Sequence, residues 1–167
     1  MITVIHDLTP TEIAPILAAS SQEIQTISPS DGTIHKCIGC FGCWTKTPGK
    51  CVLKDAFCET GQKIGRCDRL VIVSECVYGG YSPFVKNVLD RAISYIHPYF
   101  CIRGGQMHHR PRYANAMDFQ VYFYGDTTPQ ERETARKLAA ANALNYDAKS
   151  HAVTFLEGRN PQAEASL

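Results

Sequence analysis

The sequence predicts an α/β protein, a three-layer α/β/α sandwich built on a five-stranded parallel sheet. Short runs of branched apolar residues alternate along the chain with segments of helical period. One run, 70–73, is apolar without alternation, which is typical of a strand buried on both faces. Strands that alternate with helices favour parallel pairing with right-handed crossovers, so helices are expected on both faces of the sheet.

The first half of the chain predicts two strands separated by a helix. Residues 2–5 are a β-branched run, and Thr9-Pro10-Thr11-Glu12 is typical of a helix start with proline in the first turn. Residues 23–27 predict a second strand, which ends in a turn rich in Ser, Pro, Asp and Gly. A cysteine-rich loop and a short helix over 56–65 follow.

The second half predicts three more strands, over 69–75, 119–124 and 152–156. A helix that begins at Ser82 keeps an apolar face until Pro98 stops it, and a second helix covers 129–145. The loop over 98–117 exceeds about 15 residues, a length typical of lids, binding elements or interface arms. We expect one domain over 1–167, with a loosely ordered tail at 158–167.

The composition restricts the classes of function. The formal net charge is +1, from 17 basic and 16 acidic residues, and it provides no field that would attract nucleic acid or an anionic membrane. No apolar run approaches the roughly 18 residues of a membrane span, and no signal peptide is recognisable. We therefore expect a cytoplasmic protein whose eight cysteines are reduced thiols, ligands or core residues.

Ligands of open parallel sheets bind beyond the carboxyl ends of the strands, where the strand order reverses. Three loops qualify, and they span 6–9, 76–83 and 125–129. In the middle loop, two adjacent glycines between tyrosines offer backbone N–H groups beside aromatic rings, which can hydrogen-bond to and stack on a planar heterocycle. An ordinary turn with surface tyrosines explains the same residues equally well.

The segment CIGCFGCWTKTPGKC carries four thiols, Cys37, Cys40, Cys43 and Cys51, with two, two and seven residues between them. Such spacing suits an iron–sulfur cluster, a zinc ion or a redox thiol set, and it is equally compatible with thiols that pack a loop. The other four cysteines lack ligand spacing.

A basic loop over 103–112 contains His108 and His109 and is interpreted as a solvent-exposed loop. The alternatives are that this loop binds the phosphate of a nicotinamide cofactor or contacts a partner subunit.

Two stretches together, CIGCFGCWTKTPGKCVLKDAF and RLVIVSECVYGGYSPFVKNVLDR, resemble the flavodoxin-like NAD(P)H-dependent FMN reductases, in the branch that includes the iron–sulfur flavoproteins. The shared pattern is a cysteine-rich loop ending in a cysteine and an acidic residue, a buried strand, a tyrosine-containing loop and a helix with Lys86, Leu89, Asp90 and Arg91. The resemblance covers roughly 1–156.

The resemblance implies a sheet ordered 2-1-3-4-5 with FMN at its carboxyl edge and NAD(P)H as the co-substrate. The reduced flavin would pass electrons to a quinone or another small-molecule acceptor, and the chain would form a homodimer or a higher homo-oligomer. Since the chemistry belongs to the cofactor, no side chain is named as catalytic. The expected flavin contacts are Thr9, Thr11, Cys76, Val77, Tyr78, Gly79, Gly80, Ser82 and Gly125, and a [4Fe–4S] cluster on the four thiols is the less favoured addition.

The first loop departs from the family pattern. Members usually carry a longer Gly-Ser-Pro-Arg type of turn that surrounds the FMN phosphate, whereas this chain has His6-Asp7-Leu8-Thr9-Pro10-Thr11. Pro10 removes one N–H donor and Asp7 would repel a dianion, although the helix N-terminus still favours phosphate. Two alternatives therefore stay open beside the reductase, namely an electron-transfer iron–sulfur flavoprotein and a flavin-free binding domain.

Overall fold

The computed structural model describes residues 1–158, so most of the predicted loose tail lies outside the described residues. The strands are β1 (Ile2–His6), β2 (Ile24–Ile27), β3 (Arg69–Glu75), β4 (Ile96–Arg103), β5 (Gln106–Pro111), β6 (Asp118–Tyr124) and β7 (Ser150–Phe155). The helices are α1 (Pro10–Ala18), α2 (Gly42–Thr45), α3 (Thr60–Gly65), α4 (Pro83–Arg91) and α5 (Pro129–Asn145).

Five parallel strands form the main sheet in the order β2-β1-β3-β6-β7. Counted without the separate pair β4 and β5, this is the order 2-1-3-4-5, so the predicted fold class is confirmed. Strand β3 lies in the centre, and its residues 70–74 are fully buried because helices lie on both sides of it.

Apolar side chains form one cluster on each face of the sheet. The first cluster joins Ile5, Ile72 and Phe123 to the inner sides of α3, α4 and α5. The second joins Val4 and Val71 to α1. This distribution produces the three layers, because alternate side chains of each strand point to opposite faces.

Two helix predictions were wrong in their bounds. Helix α4 ends at Arg91 rather than near Pro98, and a single 3₁₀ turn over 92–95 leads into strand β4. This turn packs tightly on α3, where a Cβ on Gly61 would come within 2.2 Å of Ser94 Oγ. The third helix begins at Thr60 instead of residue 56.

The predicted loop over 98–117 is largely the antiparallel hairpin of β4 and β5, which turns at Gly104 and Gly105. Pro98 is accommodated because the pairing is irregular between Ile96 and Phe100. The hairpin stands apart from the main sheet. Arg103 secures its end to α5 by an ion pair with Asp147 and a hydrogen bond of 3.2 Å to the Leu144 carbonyl.

Candidate functional site

The three predicted ligand loops lie side by side at the carboxyl edge, because β1, β3 and β6 are neighbours in the sheet. Asp7 connects the three strand ends. Its Oδ2 accepts a hydrogen bond of 3.0 Å from the backbone N–H of Glu75, and its Oδ1 accepts one of 2.9 Å from the hydroxyl of Tyr124. The carboxylate of Asp7 is therefore held in one position at the strand-order reversal.

Residues 77–80 form a closed two-residue turn. Val77 and Gly80 each donate their N–H to the other's carbonyl oxygen at 2.9 Å. The central residues, Tyr78 and Gly79, have φ values of 51° and 77°, which are characteristic of a type I′ turn. Tyr78 is 90% exposed, and this turn can therefore present one aromatic face to a ligand.

The turn is pressed against the first turns of α5. A Cβ on Gly79 would lie 2.8 Å from Thr134 Cβ and 2.9 Å from the carbonyl oxygen of Glu131. Glycine is thus required at this position both by its positive φ and by the close approach. Because Val77 and Gly80 use their N–H groups inside the turn, the loop has fewer free donors than its sequence predicts.

The remaining predicted contacts at this edge have structural partners. The Cys76 N–H donates to the Tyr124 carbonyl at 2.9 Å, and burial raises the pKa of the Cys76 thiol. Ser82 caps α4, since its Oγ accepts a hydrogen bond of 3.4 Å from Val85 N–H. Gly125 N–H donates to the Gly158 carbonyl at 2.8 Å. Their roles as flavin contacts stay predictions.

Thr9 and Thr11, the residues predicted to face a phosphate, are bonded within the first turn of α1. The Thr9 N–H and hydroxyl donate to Oε2 of Glu12 at 2.8 and 2.6 Å, and the two threonine hydroxyls lie 3.1 Å apart. These hydrogen bonds lower the pKa of the Glu12 carboxyl. The helix N-terminus, where an anion would be favoured, is already capped by a carboxylate of the same chain.

The surroundings of this end of the site are anionic. Burial and the nearby carboxylates of Asp7, Glu75 and Glu12 raise the pKa of the Tyr124 hydroxyl. Within residues 1–158, no Lys or Arg side chain forms a hydrogen bond or ion pair with residues 6–12. The aromatic turn thus suits a flavin ring, whereas the α1 end carries carboxylates and, among the described residues, no bonded Lys or Arg that would suit a phosphate dianion.

The four clustered thiols border one small cavity of about 40 Å³ beside Arg91. Cys37 and Cys40 are exposed, Cys43 is buried, and burial raises the pKa of the Cys43 thiol. Over the described chain, no three His, Cys, Asp or Glu side chains are grouped so as to hold a metal ion. The four thiols lie around one cavity but are not close enough together to act as a set of metal ligands, so the metal site stays a prediction.

Arg91 anchors the cysteine loop to α4. Its guanidinium donates to both oxygens of Asp55, at 2.8 and 2.9 Å, and to the carbonyl of His35 at 2.8 Å. Its Nε lies 3.2 Å from Cys51 Sγ. The pairing explains the joint sequence pattern of an acidic residue after the cysteines and an arginine in the helix, although the sequence alone did not indicate that the two residues meet.

The segment over 103–112, predicted as a solvated loop, is instead part of the β4–β5 hairpin, and one of its histidines contacts the cysteine loop. The ring of His109 lies 5.1 Å from Trp44 and 4.7 Å from Phe100, and His108 is buried. The Trp44 indole also donates to the Ile96 carbonyl at 3.0 Å. The hairpin and the cysteine loop therefore form one packed unit.

A larger groove of about 450 Å³ runs between α4 and α5. It begins at Gly80 and Tyr81, beside the aromatic turn, and extends to Tyr146. The Tyr81 hydroxyl accepts a hydrogen bond of 3.2 Å from Asn142, and burial raises the pKa of Tyr81 to about 12. The volume of the groove is within the range of small-molecule sites.

No helix in the described part of the chain is long and apolar enough to span a membrane.

Comparison with solved structures confirms the fold. An FMN-dependent NADH-azoreductase from Bacillus anthracis, solved with FMN, superposes with a TM-score of 0.60 at 13% identity, over 96% of this chain and 88% of that one. An NAD(P)H:quinone oxidoreductase from Methanothermobacter marburgensis gives a TM-score of 0.60 at 14% identity with the same coverage. At these identities the similarity is one of architecture.

Comparison with known sequences identifies the family of this chain. An iron–sulfur flavoprotein of Methanocaldococcus jannaschii is 33% identical over 76 residues, which are 46% of this chain and 38% of that protein. The chain thus spans well under half the length of this relative. The family model described as NADPH-dependent FMN reductase matches residues 11–114, which include the cysteine loop, the aromatic turn and α4. The match confirms the predicted resemblance: the chain belongs to the family of NADPH-dependent FMN reductases.

Proposed function

We propose that the chain transfers a hydride from NADH or NADPH to a flavin bound at the carboxyl edge of the sheet, and that the reduced flavin passes its electrons to a small-molecule acceptor such as a quinone. The observation that carries this proposal is the family match over residues 11–114, which includes the aromatic turn at the strand-order reversal. A bound flavin would supply the redox chemistry, because it would accept the hydride together with one proton from solvent while the nicotinamide leaves oxidised.

The contribution of this chain is to bind and orient the flavin. The closed turn at 77–80 holds Tyr78 in a fixed, exposed position from which its ring can stack on a flavin. The adjoining groove between α4 and α5 offers room for a second small molecule next to Gly80. No side chain is assigned as a general acid or base.

The test is the rate of NADH and NADPH oxidation by the purified protein in the presence of added flavin, compared with flavin alone. The proposal requires a rate above the flavin-only background that is lost in Gly79→Ala, because a Cβ there would push the turn away from α5. A rate equal to background with both nucleotides would contradict it. In that case the flavin-free binding domain becomes the better description.

A second candidate, an electron-transfer iron–sulfur flavoprotein, is favoured by two observations. One is the similarity to the iron–sulfur flavoprotein of Methanocaldococcus jannaschii, and the other is the gathering of four thiols around one cavity. Iron and sulfide analysis of protein purified without oxygen tests this candidate. Stoichiometric iron that is lost in Cys43→Ser would support it, and the absence of iron from freshly purified protein would exclude it.

The proposal includes a homo-oligomer, most simply a homodimer formed through the β4–β5 hairpin. Four large apolar side chains of this hairpin are exposed, namely Tyr99, Phe100, Ile102 and Met107. A two-stranded hairpin is only marginally stable by itself, and exposed apolar patches commonly mark interfaces. Light scattering after gel filtration should give the mass of a dimer for the native chain and the mass of a monomer for the Ile102→Glu variant.

A further inference from the structure

We infer that this site holds a flavin through its ring and sugar chain alone and disfavours the 5′-phosphate, so that riboflavin is preferred over FMN. The inference rests on the proposed flavin reductase function and names the flavin that this chain takes. It follows because the carboxylates and the capped helix N-terminus at the α1 end of the site do not suit the phosphate of FMN.

The α1 end of the site is the place where a phosphate is expected. In flavodoxin-like sheets, a flavin phosphate binds at the turn after the first strand and at the N-terminus of the following helix. Here that N-terminus is capped by Glu12, whose carboxylate accepts both the N–H and the hydroxyl of Thr9. Pro10, the first residue of the helix, has no N–H to offer.

The charges at the α1 end disfavour a phosphate. Asp7 lies at the same strand end and is held by Tyr124 and by the Glu75 N–H, at 2.9 and 3.0 Å, so its carboxylate is not free to swing away. A phosphate at α1 would meet two fixed carboxylates. Within the described chain, no lysine or arginine bonds to residues 6–12 to offset them. Like charges at such short range disfavour each other strongly unless water screens them.

The groups that remain to bind a flavin are uncharged or apolar for the most part. The turn at 77–80 presents an uncharged aromatic ring and backbone groups, and the groove that begins at Gly80 is lined mainly by apolar and amide side chains. None of these groups requires a phosphate. The family match also starts at residue 11 and so leaves out the loop that departs from the usual phosphate turn.

The experiment is a pair of equilibrium titrations of the native chain, one with riboflavin and one with FMN, followed by quenching of flavin fluorescence. We expect riboflavin to bind at least about tenfold more tightly at low ionic strength. Raising the salt concentration should strengthen FMN binding and leave riboflavin binding unchanged, because salt screens the repulsion and shortens the Debye length from about 10 Å at 0.1 M to about 3 Å at 1 M. A phosphate bound by cations would show the opposite salt dependence.

The Glu12→Gln variant isolates the cause. Glutamine keeps an oxygen that can accept the Thr9 N–H but removes the charge, so FMN affinity should rise several-fold while riboflavin affinity stays the same. Glu23→Gln is the matched control, because it makes the same charge change at the opposite edge of the sheet, where the Glu23 carbonyl accepts the Ile2 N–H. The control should leave both affinities unchanged, and the urea midpoints of the two variants check that both are folded.

The outcomes separate this inference from the proposed function. Tighter binding of FMN than of riboflavin, or FMN binding that weakens with salt, overturns the inference and leaves the flavin reductase standing. A riboflavin preference that persists unchanged in Glu12→Gln also overturns it, because the carboxylate would then not be the cause. Failure of both flavins to bind overturns the inference together with the proposed function.

Discussion

Arg91 and Asp55 form a two-point ion pair in the interior, with Nη1–Oδ2 and Nη2–Oδ1 distances of 2.8 and 2.9 Å. The Arg91 side chain is fully buried and that of Asp55 is 6% exposed. Neighbouring hydrogen-bond donors, with Arg91 foremost among them, lower the pKa of the Asp55 carboxyl in spite of its burial. The pair joins the cysteine loop to the end of α4 and so positions both the thiols and the hairpin.

Removing one partner of this pair should be costly. We expect Arg91→Met to lower the free energy of unfolding by about 3–5 kcal/mol, because it leaves the buried carboxylate of Asp55 without its cation. Urea denaturation followed by circular dichroism measures the change. Lys86→Met is the control on the same helix, since the Lys86–Asp90 pair is exposed and its loss should cost about 0.5 kcal/mol or less. Equal losses in the two variants would contradict the prediction.

Gly79 should be sensitive to alanine beyond the strain of its positive φ. Gly104, in the hairpin turn, has a φ of 56°, and a Cβ there would have no neighbour within 4 Å, whereas a Cβ on Gly79 would come within 2.8 Å of Thr134. We expect Gly104→Ala to cost about 1–2 kcal/mol from backbone strain alone. Gly79→Ala should cost more than Gly104→Ala in urea denaturation, and only Gly79→Ala should abolish flavin binding. Equal effects on binding would show that the turn does not contact the flavin.

Acid should destabilise the fold through His6. This side chain is 3% exposed, its Nδ1 has no hydrogen-bond partner among the described residues, and burial lowers its pKa from an ordinary value of 6.5. The unfolded chain therefore binds a proton more readily than the folded chain as the pH falls through that value, and stability present at higher pH is lost.

The measurement is the urea midpoint from about pH 7.5 to about pH 5.5, where His6→Gln should show a smaller decline than the native chain. His151→Gln, at an exposed histidine of β7, is the control for the substitution itself. A decline as steep in His6→Gln as in the native chain would assign the acid sensitivity to other groups.

The thiols should react in the order of their exposure. Of the eight cysteines, only Cys37 and Cys40 are exposed in the structure, and Cys43, Cys67 and Cys76 are buried. A thiol reagent added to the native protein should therefore give a fast phase of two equivalents. The phase should disappear in the double variant Cys37→Ser/Cys40→Ser and persist in Cys101→Ser. A fast phase that appears only after chelation of a metal would instead show that these thiols are ligands.

Elements with a strong local signal were predicted closely. Strand β3 and helix α5 agree with the sequence prediction residue for residue. The first is a continuous apolar run. The second begins at Pro129 and is preceded by Thr128, which forms a capping box with Glu131. The hairpin of β4 and β5 was missed because most of its residues are partly or fully exposed, so they carry little apolar pattern. It is held instead by distant residues such as Trp44 and Asp147.

The sequence by itself determined the fold class, because alternating strands and helices leave few topologies. Its two family stretches indicated the family and, through it, the order of the sheet, and the carboxyl edge was predicted as the ligand site because open parallel sheets bind ligands there. Only the tertiary structure decided which groups at that edge are free. The pairing of Val77 with Gly80, the capping of Thr9 by Glu12 and the meeting of Asp55 with Arg91 depend on backbone conformation and on contacts between separated segments. Such contacts leave no periodic pattern in the sequence. The charges and the free hydrogen-bond donors at the carboxyl edge are therefore known only from the folded structure.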